Sequence, residues 1–174
     1  MSSSPQKFWN EKILKWEQSR YGGEQDGLLE NLASSASKSL KYRMEVTMEL
    51  LTPHLEGKSV LELGCGSGRL AVDIINAGAK SYCGMDIASL AIDSANKRYT
   101  SSDISEKILF KVGGVEELEV KNFDIVFSIG LLDWLTDDAI GDLIAKSTQI
   151  DFLHSYSEQR VDLKQLLHKA YVYL

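Results

Sequence analysis

The sequence has 174 residues, 44% hydrophobic and 25% charged, which is the balance of a globular protein with one sizeable core. Its formal net charge of −6 gives no general attraction for phosphates and argues against a nucleic-acid partner. Only two cysteines occur, Cys65 and Cys83, so neither a disulfide framework nor a metal site is expected. No apolar run approaches the roughly 18 residues of a membrane span. We therefore expect a cytoplasmic protein without a membrane partner.

Residues 1–38 are interpreted as an N-terminal helical extension. Residues 6–19 place apolar side chains at helical spacing and predict an amphipathic helix. Glycines break this pattern within residues 21–27, and the small polar residues of 34–39 predict a loop with short helical turns. Tyr21, beside these glycines, can close over a bound ligand as part of a lid, or it can belong to an ordinary connection.

Residues 39–174 alternate between helix and strand patterns. The predicted elements, in chain order, are a helix at 39–51, a strand at 58–63, a helix at 67–77, a strand at 81–86, a helix at 89–99, strands at 108–112 and 123–128, a helix at 136–147, a strand at 150–156 and a helix at 160–174. Strands joined through helices indicate right-handed crossovers. The predicted fold class is α/β, with a Rossmann-like, doubly wound, mostly parallel sheet and helices on both faces.

Three glycines, Gly64, Gly66 and Gly68, form a strand-to-helix turn directly after the first strand. Glycines let the backbone of such a turn approach a ligand closely, so the turn predicts the floor of a cofactor site. Dinucleotide sites have the spacing Gly-x-Gly-x-x-Gly, and Arg69 stands where the last glycine of that pattern would fall. The spacing therefore disfavours NAD.

Two acidic residues accompany this turn. Glu62 precedes Gly64 by two positions, where its carboxylate repels a phosphate and suits a ligand with an ammonium or sulfonium group. Asp86 ends the second strand, where a carboxylate can accept both hydroxyls of a ribose, although Asp at such a place also caps helices. Together they favour a nucleoside cofactor that carries a positive charge.

With these motifs, the stretch from Leu40 to Ser155 resembles the class I S-adenosylmethionine-dependent methyltransferases. The resemblance implies S-adenosylmethionine as cofactor, S-adenosylhomocysteine as product, and a small molecule or a protein side chain as methyl acceptor. It also implies which residues border the cofactor: Glu62, Gly64, Cys65, Gly66 and Gly68 at the methionine part, Asp86 at the ribose, Ile87 at the adenine, and Ser128 and Ile129 at the methyl-transfer end.

The third-strand segment departs from the family pattern at Gly114, where the family commonly has an acidic residue that bonds the adenine amino group. The backbone N–H of Val115 can still reach the adenine ring. Glu116, two positions further on, is the candidate that supplies the missing carboxylate. We expect all three residues to border the adenine.

Two side chains are candidates for a catalytic base. Asp133 follows the fourth strand and His154 lies in the fifth, and ligands bind at the carboxyl ends of parallel strands. In the alternative interpretations, Asp133 caps the following helix and His154 is a structural residue. Arg43, on the helix before the first strand, can pair with the cofactor carboxylate through its planar guanidinium, or be solvated at the surface.

The sheet of this family usually continues with two further strands, so residues 39–174 resemble a cofactor-binding domain that is short at its C-terminus. An open sheet edge invites pairing, which predicts a second copy or a partner chain there. Two functions stay open. The chain is an active methyltransferase, or it is a non-catalytic module that binds S-adenosylmethionine as a partner or regulatory subunit.

Overall fold

The structure of the protein is a computed structural model that describes residues 5–21, 28–100 and 103–156. Its strands are β1 (Ser59–Leu63), β2 (Ser81–Asp86), β3 (Ile108–Val112), β4 (Ile125–Ile129) and β5 (Asp151–Ser155). Its α-helices are α1 (Pro5–Tyr21), α2 (Leu28–Leu51), α3 (Ala71–Asn76), α4 (Ser89–Tyr99) and α5 (Asp137–Ser147). All paired strands run parallel, in the order β3-β2-β1-β4-β5. The predicted α/β class with a parallel sheet is therefore confirmed.

Alternate residues of the strands face opposite sides of the sheet, and helices cover each side. Val60 of β1 and Tyr82 of β2 belong to the larger apolar cluster, into which α2, α3 and α4 pack. Leu61 of β1 packs on the other side with Leu143 of α5. Burial on both faces explains why these strands are nearly continuous apolar runs in the sequence.

Two helix boundaries differ from the sequence expectation. Helix α2 begins at Leu28, so the loop expected at residues 34–39 is wrong. No glycine or proline interrupts residues 28–51, and leucines and alanines around the serines favour a continuous helix. The helix expected at 67–77 is the shorter α3, because the glycine turn and its exit occupy the residues before Ala71.

Some predictions fall outside the described residues. These are the loop at 22–27, the helix at 160–174 and the side chain of Tyr21. Helix α2 runs through residues 38 and 39 without a break, and the division of the chain at that point stays a prediction.

The strand order locates the functional edge of the sheet. From β1 the chain proceeds to β2 and β3 on one side, and later to β4 and β5 on the other. Ligands of such sheets bind at the carboxyl ends of the strands, beside the point where the order reverses. That point lies between β1 and β4, and the glycine turn leaves β1 there.

The two cysteines behave as core residues. Cys65 and Cys83 are buried and form no disulfide, and burial raises the pKa of the Cys83 thiol. Across the described ranges, every helix is too short or too polar to cross a membrane.

Candidate cofactor and active site

The glycine turn after β1 has a backbone that larger residues would disturb. Gly64, Gly66 and Gly68 have φ angles of 69°, 53° and 68°, in the left-handed region that favours glycine. A Cβ atom at Gly68 would also overlap the ring of Phe110. The turn therefore keeps its shape because these positions are glycine.

Asp86 ties the end of β2 to this turn. One carboxylate oxygen accepts the backbone N–H of Gly66 at 2.8 Å, and the other accepts that of Ala88 at 2.8 Å, just before α4. Asp86 is only 8% exposed. Its carboxylate thus connects the glycine turn with the start of α4, and a ribose contact would use the remaining lone pairs.

Glu62 is buried beside the turn, with 6% of the residue exposed. The hydroxyl of Tyr82, on β2, donates a hydrogen bond to its carboxylate at 2.5 Å. The pKa of Tyr82 is raised well above its usual value, mainly by burial and secondly by the charge of Glu62. The phenol therefore stays protonated and remains a donor. A buried side chain of the neighbouring strand therefore fixes the orientation of this carboxylate.

Aromatic side chains support the turn. The ring of Phe110, on β3, lies between those of Tyr82 and Tyr99, with centroids 5.8 and 5.5 Å away. Tyr99, at the end of α4, donates its hydroxyl to the carbonyl of Gly68 at 2.8 Å. The sequence gives no signal of this support, because aromatic residues within apolar strands and helices are usually ordinary core residues. The pairing of β2 with β3 brings Tyr82 and Phe110 together, and the packing of α4 adds Tyr99.

The residues named for the adenine form one turn after β3. The carboxylate of Glu116 lies against Gly114, in the space that a Cβ atom there would occupy. The ammonium group of Lys146, on α5, donates to the carbonyls of Val115 and Glu116 at 3.2 and 2.9 Å. The turn is therefore anchored from α5. Ile87, the other candidate, follows β2 and is half-buried.

The chain beyond β4 lies next to the glycine turn. Gly130 has a φ angle of 69°, and Nη1 of Arg43 lies 2.8 Å from the position of a Cβ atom there. The side chain of Leu131 lies 3.4 Å from the corresponding position at Gly64. The structure thus places Arg43 of α2 beside Gly130, the residue before the leucine that contacts Gly64.

The first candidate base, Asp133, faces Arg43. Its Oδ2 lies 3.8 Å from Nη1 of Arg43, and the Asp133 and Arg43 side chains are 26% and 29% exposed. The cap of α5 is Thr136, whose hydroxyl accepts the N–H of Ala139 at 3.3 Å. The alternative in which Asp133 caps this helix is therefore wrong.

The second candidate, His154, lies opposite Ser128 in the pairing of β4 with β5. Nδ1 of His154 is 2.9 Å from Oγ of Ser128, which is a buried residue. Nε2 of His154 is buried and has no hydrogen-bond partner among the described residues. Burial lowers the pKa of His154, which favours the neutral imidazole. Ile129, on the opposite face of the sheet, packs against the larger apolar cluster.

Helix α1 lies across this edge of the sheet. Trp9 packs edge-on against Trp134, in the turn after β4, with ring centroids 4.8 Å apart. The side-chain oxygen of Asn10 accepts the N–H of Leu90, at the start of α4, at 3.2 Å. Helix α1 therefore connects the segment after β4 with the helix that follows β2.

These features define a class of protein. A parallel sheet whose order reverses beside a glycine turn, with an acidic residue at the end of β2, is the arrangement of Rossmann-like nucleotide-binding domains. The buried carboxylate of Glu62 beside the turn distinguishes this site from one built for a pyrophosphate.

Comparison with known families identifies the chain further. The sequence profile of the methyltransferase-domain family matches residues 60–150, just over half of the chain. The chain therefore belongs to this family and has the Rossmann-like fold of the class I S-adenosylmethionine-dependent methyltransferases. The resemblance drawn from the glycine turn and Asp86 is confirmed.

Curated relatives act on different kinds of acceptor. The chain is 34% identical over 125 residues to the tRNA U34 carboxymethyltransferase of Colwellia psychrerythraea, an alignment that covers 70% of this chain and 35% of that protein. It is 31% identical over 105 residues to protein arginine N-methyltransferase 1 of Schizosaccharomyces pombe, and this alignment covers 59% of this chain and 30% of that protein. The chain thus spans about a third of the length of these relatives. These relatives thus differ in acceptor class, one acting on tRNA and the other on protein arginine.

Among solved structures, the chain is similar to magnesium protoporphyrin IX methyltransferase from Synechocystis with bound S-adenosylmethionine. The TM-score is 0.72 at 17% identity, over 94% of this chain and 82% of that one. For the same enzyme with bound S-adenosylhomocysteine, the TM-score is 0.70 at 18% identity, over 97% of this chain and 77% of that one. At these identities the likeness concerns the fold.

Proposed function

We propose that the chain binds S-adenosylmethionine and transfers its methyl group to a small-molecule acceptor. One observation carries the proposal: Glu62 is buried beside a glycine turn with a left-handed backbone, so the floor of the site has a negative charge next to the backbone of the turn. A carboxylate there repels phosphate and attracts ammonium and sulfonium groups. The cofactor, when bound, supplies a methyl group already activated on a positively charged sulfur.

The chain's own residues would hold this cofactor in four regions. At the methionine end, the backbone of the turn and Glu62 face the ammonium group, while Arg43 pairs with the carboxylate. Asp86 accepts the ribose hydroxyls. The remaining roles are proposed for Cys65 in the turn, for Ile87, Gly114, Val115 and Glu116 around the adenine, and for Ser128 and Ile129 near the methyl-transfer end.

The acceptor side of the site mainly has to position a nucleophile and exclude water. Positioning alone lowers the barrier to such a transfer by on the order of 7 kcal/mol or more. A proton released by the acceptor can pass to Asp133, whose side chain is 26% exposed. His154 is neutral, but Ser128 contacts its Nδ1, and its Nε2 is buried. We therefore assign proton acceptance to Asp133 before His154.

A small acceptor fits this site better than a polymer. Helix α1 crosses the functional edge, and Phe8, Trp9 and Trp134 form an aromatic cluster there, with Phe8 and Trp134 centroids 6.4 Å apart. Such a cover leaves less room for a nucleic acid, and the net charge of −6 does not attract one.

The test of the transfer reaction uses methyl-labelled S-adenosylmethionine with three acceptor pools: a metabolite extract, bulk tRNA and unfolded protein. We expect label in the metabolite fraction. Label only in tRNA or protein would contradict the acceptor class, and label in none of the pools would contradict methyl transfer.

We also propose a cytoplasmic location and a second copy or partner chain at β5. This strand lies at one edge of the sheet that the described residues form, and its Phe152 is 47% exposed. Open strand edges tend to pair with other chains. Light scattering should give a mass above that of one chain, and Phe152→Lys should lower it. A monomeric wild type would contradict pairing between copies.

A further inference from the structure

The ion pair between Arg43 and Asp133 joins two residues for which separate functions are proposed. Arg43 is assigned to the cofactor carboxylate, and Asp133 to the acceptor, yet Nη1 and Oδ2 of the two lie 3.8 Å apart. Both side chains are more than a quarter exposed. Ion pairs at such exposure contribute little stability, so a competing carboxylate can displace one partner.

The position of Arg43 makes such competition possible. Its Nη1 lies close to the backbone of Gly130, where a Cβ atom would be only 2.8 Å away. The next residue, Leu131, covers Gly64 of the glycine turn. Gly130 and Leu131 thus connect Arg43 with the start of the turn, where the methionine part of the cofactor is proposed to bind.

The charges around the turn make Arg43 important for an anionic group. Glu62 and Asp86, which flank the turn, are 6% and 8% exposed, so their carboxylates are poorly screened by water. A ligand carboxylate near these two residues needs a cation close by to offset the repulsion. A guanidinium can bind it through two parallel hydrogen bonds.

We infer that Arg43 and Asp133 form an exchangeable pair, in which the carboxylate of the bound cofactor takes Arg43 and releases Asp133 toward the acceptor. The inference rests on the proposed function and deepens it. In the free protein Asp133 competes for Arg43. Once the cofactor is bound, its carboxylate replaces Asp133 at Arg43, so the placement of Asp133 toward the acceptor becomes coupled to the presence of the cofactor.

The test is a calorimetric titration with two nucleosides. S-Adenosylhomocysteine has the carboxylate, whereas 5′-deoxy-5′-methylthioadenosine lacks the whole amino-acid part. We expect Asp133→Asn to bind S-adenosylhomocysteine more tightly than the wild type, by up to about five-fold, because the competitor for Arg43 is gone. The affinity for methylthioadenosine should not change. Asp137→Asn is the matched control, because it removes the same charge from an exposed position close by in the chain.

Replacement of Arg43 completes the cycle. Arg43→Gln should weaken binding of S-adenosylhomocysteine alone, and in that background Asp133→Asn should bring no gain. If Asp133→Asn increases the affinity for both nucleosides, or for neither, the inference is overturned while the proposed function stands. A wild type that binds neither nucleoside would overturn both. Thermal melting of each variant establishes that it is folded.

Discussion

The phenol of Tyr82 donates a hydrogen bond to the carboxylate of Glu62 at 2.5 Å, and the two residues are 1% and 6% exposed. The bond joins β2 to β1 directly beside the glycine turn. Since the pKa of Tyr82 is raised by burial and by this carboxylate, the donor keeps its proton over the ordinary pH range. The negative charge proposed to face the cofactor is thus oriented by a residue that does not itself line the turn.

Removal of the Tyr82 hydroxyl is expected to affect both stability and cofactor binding. Tyr82→Phe takes one donor from a buried carboxylate, which should lower the free energy of unfolding by about 1–3 kcal/mol. It should also raise the Kd for S-adenosylmethionine. Urea unfolding and calorimetry measure the two effects. Tyr42→Phe is the control, since Tyr42 is 66% exposed. A Tyr82→Phe variant equal to the wild type in both measurements would refute this role.

The glycine turn can be tested with a matched pair of substitutions. Gly57 and Gly68 have φ angles of 70° and 68°, but only Gly68 has an aromatic ring in the way of a Cβ atom. Gly57→Ala should therefore cost about 1–2 kcal/mol of backbone strain. Gly68→Ala should cost more and should also weaken cofactor binding, because Phe110 must move. The two variants are compared by urea unfolding and calorimetry. Equal losses of stability and of affinity in both variants would contradict a role of the Phe110 contact.

Glu116 is predicted to replace the acidic residue that Gly114 lacks. Glu116→Ala should weaken binding of S-adenosylhomocysteine by about two- to ten-fold, the range of a lost hydrogen bond. The φ of Gly114 is −104°, which any residue adopts, and the Glu116 carboxylate fills the space beside it. In the Glu116→Ala background, Gly114→Asp should therefore restore affinity. Calorimetry measures each step, and a double variant no tighter than Glu116→Ala would argue against an adenine contact.

The lowered pKa of His154 predicts how the stability of the protein depends on pH. Its pKa in the folded protein is lowered from 6.5 by burial, so the unfolded chain binds the proton first as the pH falls. The free energy of unfolding should therefore decrease from about pH 6.5 downward, and His154→Gln should reduce that decrease. His54→Gln is the control, because His54 is exposed. Parallel stability curves for the wild type and His154→Gln would contradict the prediction.

The sequence was sufficient to predict most of the sheet and the place of the cofactor turn. Strands buried on both faces produce apolar runs such as Ile125 to Phe127, and the spacing of Gly64, Gly66 and Gly68 marks the turn directly. Local patterns failed where several weak preferences compete. Serines within 34–39 suggested a loop, but the leucines and alanines around them sustain α2.

The contacts that orient the site were beyond sequence reasoning. Tyr82 meets Glu62, and Arg43 meets Asp133, only after strands and helices far apart in the chain have packed together. Their residue types carry no signal of these pairings, since tyrosine in a strand and arginine on a helix have common structural roles. Likewise, both Asp133 and Thr136 are good helix caps by type, and only the backbone geometry selects Thr136.

In our proposal the glycine turn and Glu62 select a nucleoside that has an ammonium or sulfonium group over a dinucleotide. Calorimetric titration of the wild-type protein with S-adenosylmethionine, S-adenosylhomocysteine and NAD tests it most directly. We expect saturable binding of both S-adenosyl compounds and no binding of NAD. Binding of NAD without either S-adenosyl compound would contradict it.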